Sequence, residues 1–231
     1  MIHSILMIGQ SNMAGRGFIE EVSPIINDNI YVLRNGLWRE MYVPVNPDRE
    51  TAGISLVESF ADLYEKKHNV EVGIIPCAVG GTSLDQWAVG GLLFDNACYM
   101  AELAARTSAI TAVLWHQGEF DCEEDRYPLY KEKLAVIFSA FREKLGLQEV
   151  PFLEGGLGAF LRDLMLNDNY MHVNNALKQY ADENEMTAFV SAEGLKANAD
   201  NLHFSSEALR EFGIRYYNEF AKLEDQKKTL R

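Results

Sequence analysis

Short runs dense in isoleucine and valine alternate along this chain with longer segments whose apolar residues recur every three or four positions. The first pattern marks strands buried on both faces, and the second marks amphipathic helices that cover them. Runs at residues 2–8, 70–76, 110–115, 151–155 and 187–191 read as five parallel strands. Ile54, Val57, Ala61 and Tyr64 form one helical stripe, and Tyr130, Leu134, Ile137, Phe141 and Leu145 another. Further helices are predicted at about 94–106, 173–183 and 206–222. In the last of these Ser205 is placed as N-cap, Glu207 favours the first turn, and Leu209, Phe212, Tyr216 and Phe220 make the buried stripe. The Arg34-Asn35-Gly36 turn signal predicts a small hairpin within residues 29–43, apart from the five strands. Strands joined by crossover helices imply a doubly wound α/β fold with a five-stranded parallel sheet.

In such a sheet, ligands bind beyond the carboxyl ends of the strands. The first strand ends at Gly9-Gln10-Ser11-Asn12, the second at Cys77-Ala78-Val79-Gly80-Gly81, and the third at His116-Gln117-Gly118-Glu119. The fifth leads to Asp200-Asn201-Leu202-His203, just ahead of the final helix. A serine, an imidazole and carboxylates therefore gather at one rim. A serine hydroxyl attacks an acyl carbon only when a neighbouring base takes its proton, and that base needs an acceptor to hold its tautomer. Ser11, His203 and Asp200 fit those roles, with Asp200 and His203 spaced to share one side of a helical turn. The developing oxyanion needs donors, for which the backbone N–H of Ser11, that of Gly80 or Gly81, and the Gln117 amide are candidates.

Composition narrows the partners. The 231 residues, 48% of them hydrophobic, show no linker-like shift, which predicts one domain over residues 1–231. Twenty-one basic residues against 34 acidic give a formal charge of −13, which repels nucleic acid and anionic membranes and leaves a small neutral or locally recognised substrate. No run approaches the roughly 18 apolar residues of a membrane span, and residues 1–8 lack the features of a signal peptide. A soluble, cytoplasmic protein is expected. Cys77, Cys98 and Cys122 have no CxxC spacing and read as buried thiols. His116, Glu119 and Asp121 lie close enough in sequence to suggest a metal hydrolase, but HExxH is absent, and no metal or cofactor is expected. The GxSxG elbow of α/β-hydrolases is missing, as are the GK[ST] and GxGxxG endings that would turn the first loop into a phosphate cradle.

Taken in order, GQSNMAGRG, PCAVGGTSLDQW, WHQGEFD and DNLH resemble the blocks of the SGNH hydrolase superfamily, and within it the carbohydrate acetylesterases of family six and the sialate O-acetylesterases. The resemblance implies a flavodoxin-like three-layer α/β/α fold and a cofactor-free esterase acting on a small acetylated carbohydrate. It gives Ser11 the nucleophile's place, His203 the base's, and oxyanion roles to Gly80 or Gly81 and to Gln117. The glutamate of HQGE, here Glu119, competes with Asp200 as the triad acid; Asp200 is favoured because it needs no distant element to position it, leaving Glu119 as a positioning group. Phe120 stands where that block commonly carries serine. Substrate contacts are expected from Gln10, Asn12, Arg16, Trp87 and His116. The rival readings are a metal-dependent hydrolase, an SGNH esterase or thioesterase acting on other esters, and a carbohydrate-binding protein without catalysis. The sequence leaves the sugar and the oligomeric state open.

Overall fold

A computed structural model describes residues 1–229. In chain order its elements are β1 (Ile2–Gly9), α1 (Ser11–Ala14), β2 (Ile30–Arg34), β3 (Leu37–Glu40), α2 (Leu56–His68), β4 (Val72–Pro76), α3 (Leu92–Ala104), β5 (Ser108–His116), α4 (Tyr130–Leu145), β6 (Phe152–Gly155), α5 (Leu161–Met165), α6 (Tyr170–Glu183), β7 (Thr187–Val190) and α7 (Ser206–Thr229). The sheet has seven strands in the order β3-β2-β4-β1-β5-β6-β7, all parallel except the β2–β3 pair.

The five predicted strands occupy the flavodoxin-like order, second-first-third-fourth-fifth. The count of five needs correcting, because the predicted hairpin extends the sheet. β2 runs parallel to β4, with Ile30 opposite Val72 and Val32 opposite Ile74, and β3 closes that edge antiparallel. Trp38 of β3 folds over the sheet so closely that a Cβ on Gly73 would lie 2.6 Å from its ring. A turn signal identifies a hairpin, but only non-local packing decides which strand it joins.

β1 shows how the layers form. Ile5 and Met7 face a core built with α2 and α7, including Phe60, Leu209, Phe212 and Tyr216. Leu6 and Ile8 face the opposite core with α3, α4 and α6, including Phe94, Phe138, Phe141 and Leu177. Side chains alternate across a strand, so a continuous apolar run feeds both layers.

Local signals set the helix ends. Ser55 and Glu58 form a reciprocal capping box at the start of α2, and Asn69 ends it in the left-handed region. Ser205 Oγ accepts from Ala208 N at 3.2 Å, as a cap for α7. That helix continues past residue 222 to Thr229, and α6 begins at Tyr170, three residues before its predicted start. Among the described residues no helix is long and apolar enough to cross a membrane.

Candidate active site

The tip of β1 is drawn tightly onto β5. Gly9 has φ +130°, and a Cβ there would sit 2.1 Å from the carbonyl oxygen of His116, so only glycine allows this approach. Gln10 N donates to the same carbonyl at 2.8 Å, and the chain then turns into α1, which opens with Ser11. The Ser11 hydroxyl is thereby fixed at the carboxyl end of the central strand.

His203 arrives from the segment before α7. Asp200 organises that segment: its Oδ1 accepts from the backbone N–H of Leu202 at 2.9 Å and of His203 at 3.0 Å, and its Oδ2 lies 2.6 Å from His203 Nδ1. The pair is carried on a turn with Asn201 at φ +51°, not on the helical turn expected from its spacing. On the other side of the ring, His203 Nε2 lies 3.0 Å from Ser11 Oγ. With Nδ1–H donating to the carboxylate, Nε2 carries a lone pair directed at the Ser11 hydroxyl, an arrangement able to accept its proton. Burial alone would raise the Asp200 pKa, but the two backbone donors and His203 outweigh it and hold the carboxyl below its ordinary value.

Glu119 makes no hydrogen bond to His203. Its Oε1 accepts from Asn12 Nδ2 at 2.5 Å and from His116 Nε2 at 3.1 Å, while its buried Oε2 has no hydrogen-bond partner among the described residues. Burial acts to raise its pKa, and the attraction and hydrogen bonds of His116 and Asn12 bring it below the ordinary value. Asn12 is a clasp: it also donates to Leu202 O at 3.2 Å and accepts from Phe204 N at 3.0 Å, gripping the backbone on both sides of His203.

The Ser11 hydroxyl and the His203 imidazole open into a cavity of about 260 Å³, which Gln10, Arg16, Arg49, Gly80, Gly81 and Phe120 help to line. A larger cleft, about 560 Å³ near the amino end of β7, is lined by no serine, histidine or cysteine.

Several expected contacts are not made. Gln117 is fully buried, and its amide group donates to Thr82 O at 2.9 Å and Asp121 Oδ2 at 2.5 Å, so it braces the loops behind the cavity and does not reach an oxyanion. Trp87 is sealed in the core, edge-on to Trp115 with its Nε1 on Thr82 Oγ1, and offers no face to a sugar. His116 is equally sealed, packed against Phe204 and Phe212. Asn12, fully buried, holds protein backbone and not substrate. Gln10 and Arg16 do line the cavity, Gln10 with its Oε1 accepting from Gly118 N at 3.4 Å.

The segment before α2 supplies what the sequence does not reveal. Asp48 pairs with Arg16 through both oxygens, at 3.0 and 2.8 Å, and accepts from Gly80 N at 2.8 Å. Arg49 donates to Gly80 O at 2.7 Å, and Asn46 bonds both N and O of Ala78. The Gly80 N–H is thus occupied by a carboxylate, whereas the N–H groups of Ser11 and Gly81 have no partner among the described residues. A Cβ on Gly80 would lie 2.5 Å from the Arg16 guanidinium, which explains the glycine. Residues 43–53 have neither strand nor helix periodicity, so no local pattern points to them.

A family model for carbohydrate esterases, described as sialic acid-specific acetylesterase, matches residues 2–222. The chain belongs to that family. It is an ester hydrolase of the carbohydrate-esterase class. A protein of Arabidopsis thaliana named as a probable carbohydrate esterase is 26% identical over 238 residues, covering 90% of this chain and 86% of its own. An X-ray structure of an Arabidopsis thaliana protein superimposes with a TM-score of 0.87 at 24% identity, over 95% of this chain and 98% of that one. A carbohydrate acetylesterase from Xanthomonas citri gives a TM-score of 0.71 at 18% identity, over 93% of this chain and 54% of that one. Likeness at these identities speaks for the fold alone; the family match carries the esterase class.

Proposed function

We propose that the protein removes O-acetyl groups from a small carbohydrate through an acyl-enzyme formed on Ser11. The observation that carries this reading is the continuous contact Asp200–His203–Ser11, at 2.6 and 3.0 Å, opening into a cavity. His203 Nε2 takes the hydroxyl proton as Ser11 Oγ attacks the acetyl carbonyl carbon. The negative charge on the carbonyl oxygen is met by the Ser11 and Gly81 N–H groups. Collapse breaks the bond to the sugar oxygen, which receives the proton from His203, and acetate stays esterified to Ser11. Water then repeats the sequence, releasing acetate and restoring the hydroxyl. Asp200 holds the imidazole in the required tautomer and stabilises its cationic form.

The sugar is read as an acidic one of the sialate type. Support comes from the family's description and from Arg49, whose guanidinium lines the cavity with a backbone carbonyl as its hydrogen-bond partner and no carboxylate among the described residues. The test is acetate release from mono-O-acetylated sialic acid and from acetylated xylobiose. Faster turnover of the first is expected; equal or slower turnover removes the sialate assignment. Ser11→Ala and His203→Ala are each expected to lower kcat by roughly 10³-fold or more with an unchanged circular dichroism spectrum. Either variant retaining full activity overturns the mechanism.

A further inference from the structure

Phe120 is the exposed aromatic residue of the cavity wall, 44% accessible to solvent, whereas its neighbours in sequence are both buried. Those neighbours fix its position. In the short 3₁₀ turn Glu119–Asp121, Glu119 is tied inward to Asn12 and His116, and Asp121 accepts from Gln117 and from Leu84 N at 3.0 Å. The residue between two inward anchors is turned outward, onto the rim that also carries His203 and Leu202. Arg126 adds a brace. Its guanidinium lies over one face of the ring, 4.6 Å from the centroid, and its Nη1 donates to Phe120 O at 3.3 Å.

A large apolar side chain held open to water at a cavity rim contributes nothing to the core. Its placement fits a ligand with an apolar face and polar edges. A pyranose ring is such a ligand, because its C–H groups pack on an aromatic face while its hydroxyls stay hydrated. We propose that Phe120 is a specificity-determining residue, a fixed platform for the sugar ring of the substrate whose acetyl group enters the cavity toward Ser11. This rests on the carbohydrate acetylesterase reading above. Pre-positioning by the two buried anchors means that little ordering entropy is lost on binding.

The test separates sugar from acetyl recognition. Phe120→Ala, Phe120→Tyr and wild type are assayed on mono-O-acetylated sialic acid, on acetylated xylobiose and on ethyl acetate, which carries the scissile ester without a ring. Phe120→Ala is expected to raise KM for the faster sugar by roughly 3- to 10-fold, the range of an aromatic stacking contact, with kcat changed less than about twofold. Phe120→Tyr should restore KM, and kcat/KM for ethyl acetate should stay within about twofold in both variants. An unchanged sugar KM in Phe120→Ala overturns the platform while leaving the esterase reading intact. An equal loss on ethyl acetate also overturns it, since Phe120 would then shape the Ser11 site itself. A wild-type enzyme that cleaves ethyl acetate and neither sugar overturns the carbohydrate reading and the platform together.

Discussion

Two histidine–carboxylate pairs meet at Asn12, and both use a spacing of three residues: Asp200 with His203, and His116 with Glu119. The first has side chains 17% and 48% exposed for His203 and Asp200 and a hydroxyl 3.0 Å from its free nitrogen. The second is 0% and 3% exposed for His116 and Glu119, with the His116 ring packed against Phe204 and Phe212 and its Nδ1 without a partner among the described residues. Similar groups at similar spacing therefore have different capabilities. In the proposed mechanism, access to a nucleophile and to substrate makes one pair the reactive one, whereas enclosure suits the other to a strut that holds Asn12 and, through it, the backbone around His203.

The sharpest test is to neutralise each carboxylate in turn. Asp200→Asn removes the charge that fixes the His203 tautomer and steadies its cation, and kcat on an acetyl ester is expected to fall by about 10²- to 10³-fold. Glu119→Gln keeps an oxygen that accepts from Asn12 and His116, so kcat should fall by less than about tenfold. Steady-state kinetics on both variants decides the matter. The reverse ranking would make Glu119 the catalytic acid and reduce Asp200 to a turn former.

Much of the reactive pair is legible in the amino-acid sequence. Ser11 stands at the end of an unmistakable buried strand, and Asp200 and His203 are so near in sequence that their contact needs only one turn. The sealed pair is visible as residue types but not as a strut, because its enclosure depends on Phe204 and Phe212, about ninety residues away in the chain. Trp87 and Gln117 depart from expectation for the same reason. A tryptophan or an amide just beyond a strand faces either the ligand or the core, and here Trp115 and Thr82, supplied by other loops and strands, turn them inward. Asp48 and Arg49 give no local signal, since their role is to bind the backbone of a distant loop. The sheet follows the same division: period and run length identify five strands, while the docking of β2 on β4 rests on contacts some forty residues apart.

The sealed pair should also respond to acid. Glu119 is held below the ordinary carboxylate value of about 4.5. Its carboxylate form therefore stabilises the fold fully above that pH, and the contribution is lost as pH falls through its lower, folded-state value. Glu119→Gln lacks this titration. Melting temperatures recorded from pH 6 to pH 3 should show a gap between wild type and variant, about 1–3 kcal/mol in stability at pH 6, that narrows as the medium becomes acid. A gap constant with pH would mean that the Glu119 charge does not support the strut, and that its shape alone matters.

The smallest expected effect concerns metal. His116, Glu119 and Asp121 are the residues whose types and proximity suggest a divalent site. Each is directed to protein partners: His116 Nε2 and Asn12 Nδ2 to Glu119, and Gln117 Nε2 and Leu84 N to Asp121. Among the described residues no three histidine, cysteine or carboxylate side chains converge as a metal site. Binding an ion at the sealed pair would require breaking the clasp that positions His203, so added metal should inhibit if it acts there at all. Dialysis against a chelator is expected to leave kcat within about 20% of its starting value, since in the proposed mechanism Ser11 supplies the nucleophile and His203 the base. Activity lost to the chelator and restored by zinc or magnesium would place the chemistry at the sealed pair and reverse the roles assigned to the two histidines.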